Sequence, residues 1–204
     1  MKASIALALL AALQAGPALA DFVGPVAPAK FTVSNSGTLG GVPGSAVPGT
    51  ATFSATNLVM VGSNATSTDE GNFVPACQGG QYSVLSGCEL DVMVSPISGT
   101  FTFDWAYLTA DSGGPAGDIF GVIVDGAHIN LSDLGGAISQ SGHSTYVATS
   151  SFGWFINCTD CIEGAATATV TNVGFVPEPS SLALILAAGI GAGAVRRWRG
   201  LRQA

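Results

Sequence analysis

Between residues 21 and 175 no apolar repeat has the spacing of a helix face, and that limits the possible folds more than any other feature. Short runs of β-branched and aromatic residues recur every ten to fifteen positions, broken by Gly, Pro, Asn, Asp and Ser. The runs are Lys30–Ser34, Thr50–Val61, Gln81–Leu85, Glu89–Val94, Thr100–Leu108, Ile119–Val124, Thr145–Ser150, Phe152–Ile156 and Ala166–Phe175. Such segments bury one face each and leave turn residues between them, which is the pattern of a strand-only domain. About 155 residues are enough for one core. The expectation is an all-β fold over 21–175: a single antiparallel β-sandwich, jelly-roll-like, with a long Gly/Pro/Ser loop over 35–49.

The two ends differ from this body. Residues 1–20 read as a signal peptide for signal peptidase, with Lys2 as the basic start, Ala3–Leu13 as the apolar core and Ala18-Leu19-Ala20 as the cleavage site. At the other end, 176–204 carry Pro177-Glu178-Pro179, an uncharged apolar run over 182–195, and then Arg196, Arg197, Trp198, Arg199 and Arg202. A helix over those fourteen apolar residues reaches about 21 Å. The hydrocarbon core is roughly 30 Å thick, so this is a short transmembrane helix extended by snorkelling arginines and an interfacial tryptophan. Basic residues beside a span stay cytoplasmic, which places the body outside. The two prolines keep the linker extended and non-helical.

This three-part tail resembles the PEP-CTERM sorting signal of Gram-negative, exopolysaccharide-producing bacteria. The resemblance rests on Pro177, Glu178 and Pro179, the run 182–195 and the cluster Arg196, Arg197, Arg199. It implies a transient inner-membrane anchor, recognition and cutting by an exosortase, and delivery to the cell surface or extracellular matrix. Tails of this kind are also labelled as the C-terminal domain of ice-binding proteins. The expected role is a secreted, non-enzymatic surface or exopolysaccharide-associated protein; the alternative is a calcium-dependent carbohydrate-binding module.

Charge narrows the partners. Residues 21–176 hold twelve Asp and Glu against one basic residue, Lys30, a formal charge of −11. A surface without arginines cannot release counterions from phosphate backbones, so no nucleic acid is expected, while divalent cations suit it. Cys77, Cys88, Cys158 and Cys161 are an even set behind a secretion signal, and in an oxidising compartment they imply two disulfides. Three pairings are open, and Cys77–Cys88 with Cys158–Cys161 is favoured because each brackets a short polar loop. A redox pair at Cys158–Cys161 or a four-thiolate zinc site fits less well, since Asp160 would raise the thiol pKa values.

The most informative internal stretch is 101–126. Phe101, Phe103, Trp105 and Tyr107 alternate and should share one strand face. A hairpin symmetric about 112–117 would set Asp111 against Asp118 and Asp104 against Asp125. Calcium takes six to eight oxygens, so Asp111 and Asp118 with the loop carbonyls of 113–117 are the candidate Ca²⁺ ligands. The competing reading is that both carboxylates cap their own turns. His128 and His143 sit among Gly, Ser and Asn and read as loop residues. His143, Ser144 and an aspartate could make a triad only on paper, as no nucleophile-elbow or metalloprotease motif supports it. Trp105 and Trp154 are candidates for sugar stacking or, more simply, core. Thr167, Thr169 and Thr171 should line an exposed strand face backed by Ala166, Ala168 and Val170.

Overall fold

The computed structural model describes residues 22–36, 46–65, 88–111, 113–158 and 164–178. The expected signal peptide over 1–20, the run Gln81–Leu85, the expected transmembrane segment 182–195, Cys77, Cys161, Pro179, Arg196, Arg197 and Arg199 lie outside the described residues.

Twelve strands are present among the described residues: β1 Phe31–Ser36, β2 Ala46–Val47, β3 Thr50–Phe53, β4 Asn57–Val61, β5 Asn64–Ala65, β6 Cys88–Val94, β7 Gly99–Leu108, β8 Asp118–Val124, β9 Ala127–Asn130, β10 Ser139–Ala148, β11 Phe152–Cys158 and β12 Thr167–Pro177. They form two five-stranded sheets, sheet I in the order β1-β6-β11-β8-β9 and sheet II in the order β10-β7-β12-β4-β3, with a small β2-β5 ribbon. Every ladder is antiparallel. No helix among the described residues is long and apolar enough to cross a membrane.

The sheets meet through one core drawn from both. Phe101 and Phe103 of β7 point at Phe152 and Trp154 of β11, with ring centroids 3.9 Å apart for Phe101–Phe152 and 5.5 Å for Phe103–Trp154. Each such side chain taken from water contributes about 1.5–3 kcal/mol, so this seam is what holds the sheets face to face. The four alternating aromatics of β7 do share a face: Phe101, Phe103 and Tyr107 are buried and Trp105 is partly so.

From β6 onward the chain changes sheet at almost every connection: β6 in sheet I, β7 in sheet II, β8 and β9 in sheet I, β10 in sheet II, β11 in sheet I, β12 in sheet II. The hairpin expected over 101–126 therefore does not form. β7 pairs with β10 and β12, and β8 pairs with β11 and β9. The partners of Asp104 are His143 and Thr171 rather than Asp125. The reason is packing. Side chains on the inner faces of β7 and β8, such as Tyr107 and Phe120, meet ring to ring across the core, which strands in one ladder could not do.

Other differences have local causes. The run Thr50–Val61 breaks into β3 and β4 because Ser54 Oγ accepts the N–H groups of Thr56 and Asn57 and donates to Asn57 Oδ1, replacing ladder bonds with a turn. His128 and His143 stand on strands β9 and β10, not loops. Asp125 and Gly126 both have positive φ (52° and 84°) and close the two-residue hairpin that pairs β8 with β9. The Asp125 carboxylate then accepts the N–H groups of Thr149, Ser150 and Ser151, tying this turn to the β10–β11 connection and holding its own pKa far down.

Candidate functional site

Three carboxylate-bearing places among the described residues are candidates, two of them with a pair of acids. The first is the corner where β7 runs into β8. Asp111 and Asp118 are both buried there. Asp111 Oδ1 accepts the N–H of Gly113, and the same carboxylate packs so closely on Gly117 that a Cβ there would lie 2.5 Å from Oδ2. Asp118 Oδ2 accepts from Thr109 Oγ1 at 2.8 Å, while its backbone carbonyl accepts from the Tyr107 hydroxyl. The two expected calcium ligands thus share one corner although β7 and β8 do not pair; Asp111 caps its own turn, and Asp118 is held across the corner by Thr109 and Tyr107. Burial, and then the charges of Asp118 and Asp111, push the Tyr107 hydroxyl up, so it stays protonated and a donor.

The second place is the outer face of sheet II. Residues on β7 that point away from the aromatic row are Thr100, Thr102, Asp104, Ala106 and Leu108. His143, directly across on β10, donates Nδ1–H to Asp104 Oδ1 at 2.6 Å, and Asn172 Nδ2 donates to Asp104 Oδ2 at 2.7 Å. Asn172 reaches it because the bulge between Thr171 and Gly174 sets its backbone at φ 52°. The trio is exposed, with 64% of the His143 side chain and 43% of Asp104 accessible. The Asn172 amide first, and then His143, hold the Asp104 carboxyl below its ordinary value. Ser144, next to His143, points to the other side of β10 and accepts from Trp105 Nε1 at 3.1 Å. Alternation along a strand therefore excludes a Ser144–His143–Asp104 triad.

The third place is on the outer face of sheet I. Glu89 and Asp91 alternate on β6 with the core residues Leu90 and Val92, so both carboxylates point away from the seam. His128 Nε2–H donates to Glu89 Oε1 at 2.8 Å, and Asn157 Nδ2 donates to Glu89 Oε2 at 3.0 Å. His128 stands on β9, three strands away from β6 in the sheet order. Gly121 makes the approach possible: a Cβ there would lie 2.3 Å from the carbonyl oxygen of Ile129 and 2.5 Å from the Phe155 ring, so β9 can lean over the face of β8. His128 then meets Phe155 edge to face at 4.8 Å.

This site is closed where the sheet II site is open. Only 15% of the His128 side chain and 7% of Glu89 are accessible. One donor atom from each of Glu89, Asp91 and His128 lies within 4.8 Å of the others. Asp91 Oδ1 is buried and has no hydrogen-bond partner among the described residues. Burial, and then the neighbouring Glu89 carboxylate, push the Asp91 carboxyl up to about 7. The sequence reading did not single out Glu89 or Asp91. Two acids at i and i+2 on an otherwise apolar strand, in a body with a single lysine, were the available signal.

The remaining expected residues fall as follows. Cys158 ends β11 and is disulfide-bonded. Cys88 is its register partner on β6, though the Cys88 side chain is not among those described. Pro177 closes β12, and Glu178 is exposed. Trp154 is fully buried and cannot stack on a sugar. Thr167, Thr169 and Thr171 alternate with the buried Ala168 and Val170 as expected.

Comparison with known proteins adds little. No protein-family model matches the chain, and no curated protein does. Among solved structures, the enzymatically active domain of tailspike protein 4 of bacteriophage CBA120 aligns over 80% of this chain at 12% identity with a TM-score of 0.30. The match spans 24% of that tailspike chain. A likeness that loose carries neither fold nor function.

Proposed function

We propose that this protein is an exported, non-enzymatic component of a Gram-negative cell surface or exopolysaccharide matrix, delivered by its C-terminal sorting tail. The body is a jelly-roll-like sandwich, a reading supported by consecutive strands that alternate between the sheets. The observation that carries the sorting proposal is where the last described strand ends. β12 ends at Pro177, the first residue of Pro-Glu-Pro. Glu178 lies against the β6–β7 connection, its N–H donating to the Ser98 carbonyl at 3.3 Å and its carboxylate accepting from Ser98 Oγ at 3.0 Å. A cut beyond this point would release the whole sandwich and leave only the membrane tail behind. The test is to express the full chain in an exosortase-bearing host and in its exosortase deletion, then fractionate the cells and weigh the product. The proposal expects the body in the matrix without its tail in the first strain and membrane-held, uncut chain in the second. Intact chain in the cytoplasm of both would end it.

Calcium-dependent carbohydrate binding is a second reading, favoured by the convergence of Asp111 and Asp118 on one buried corner. Calorimetric titration of the full chain with CaCl₂ tests it. A single binding event lost in Asp118→Asn supports the reading, and no heat at millimolar Ca²⁺ removes it.

A further inference from the structure

We propose that Glu89, Asp91 and His128 form a divalent transition-metal site on the outer face of sheet I, with Zn²⁺ the best-matched ion. The donor set is one imidazole nitrogen and two carboxylates, all within 4.8 Å of one another. An imidazole suits zinc and its neighbours, whereas calcium and magnesium favour oxygen alone. The charges also balance. Two carboxylates and a neutral histidine need two positive charges, and the only Lys or Arg in the body is the exposed Lys30.

Two further features point to a ligand rather than a finished hydrogen-bond network. Asp91 Oδ1 is shielded from water with no donor among the described residues, and the carboxyl hydrogen-bonds to Glu89, an acceptor like itself, only with a proton between them. A buried acceptor left so is costly, and a cation would offset that cost. Asn157 meanwhile holds the far oxygen of Glu89 at 3.0 Å, as an outer-shell amide orients a metal-binding carboxylate. Binding needs the lone pair of Nε2, so the one hydrogen of the neutral imidazole, on Nε2 in the contact with Glu89, passes by exchange with solvent to Nδ1, and a proton shared by the carboxyl pair leaves to solvent.

The test uses the full-length chain in detergent, stripped with EDTA and titrated with ZnCl₂. One equivalent should bind, and the zinc absorption edge should show only nitrogen and oxygen neighbours. His128→Ala and Asp91→Asn should each weaken binding at least about 100-fold, and Asn157→Ala about 10–100-fold. His143→Ala, at the exposed trio, should leave binding unchanged. If a variant fails to fold, the absorption spectrum of the wild type still decides. Sulfur neighbours would place the ion on cysteines, and no uptake would mean that a proton alone holds the carboxyl pair; either result overturns the proposal.

Discussion

The outer faces of the two sheets carry the same small arrangement in opposite surroundings. On sheet I, His128 and Asn157 hold Glu89; on sheet II, His143 and Asn172 hold Asp104. The first trio is enclosed beside Phe155 and a second acid, Asp91, while the second stands in water among threonines. The central strands set this contrast. β11 is buried at every position from Phe152 to Cys158, whereas Thr167–Thr171 of β12 alternate between core and surface. Similar hydrogen bonds therefore mean different things. In water the carboxylate is stabilised as an anion and the trio is an ordinary surface cluster. Under cover, the extra carboxylate resists ionising, and the group is left needing a proton or a metal.

The largest difference should come from truncating the covered face. Phe155→Ala should cost about 3–5 kcal/mol in denaturant unfolding, as a fully buried aromatic does. A loss under 1 kcal/mol would show that face to be open after all. Gly121→Ala should come next, at about 1–3 kcal/mol, because a methyl must push β9 away from β8. It should also weaken zinc binding by moving His128, and an unchanged stability would show that β9 does not need that close approach.

A smaller contrast is in pH. The folded value for Asp91 is about 7 against an ordinary 3.8, so the folded state keeps a proton that the unfolded chain has lost. In metal-free protein, stability should fall as pH rises from about 4 to about 7, then level off. Asp91→Asn should flatten that limb. The Asp104 shift is downward, so its contribution is present above 3.8 and is lost as pH falls below it through the folded value. Asp104→Asn should alter only that acid limb. Equal slopes for wild type and both variants between pH 3 and pH 8 would erase the distinction. The smallest effect belongs to Thr169→Ala on the open face, within about 0.5 kcal/mol of wild type.

Pattern reading succeeded where burial is one-sided. The run Thr167-Ala168-Thr169-Val170-Thr171 announces its faces by alternation, and Phe101 to Tyr107 does the same. It failed for strands whose composition is polar but whose ladder is complete. Ser139-Gln140-Ser141-Gly142-His143 is half of β10, held by its pairing with β7 and not by apolar content. The candidate site was harder still. Glu89 and His128 are thirty-nine positions apart, and nothing local says that they touch. Their meeting depends on a glycine in a third strand.

Residue order alone sets the all-β character, the aromatic row that must face a partner sheet, the acidity that argues against nucleic acid and the sorting signals expected at both ends. These follow from periodicity, charge and short motifs, which act over a few residues. Pairing is different, because it depends on which faces meet across the core. Folding places β7 and β8 in opposite sheets, brings Asp111 to Asp118 around a corner, and lays β9 over Gly121 so that His128 reaches two acids on β6. Each of those contacts joins residues far apart in the chain, where the energy comes from excluding water between faces that no local pattern can match.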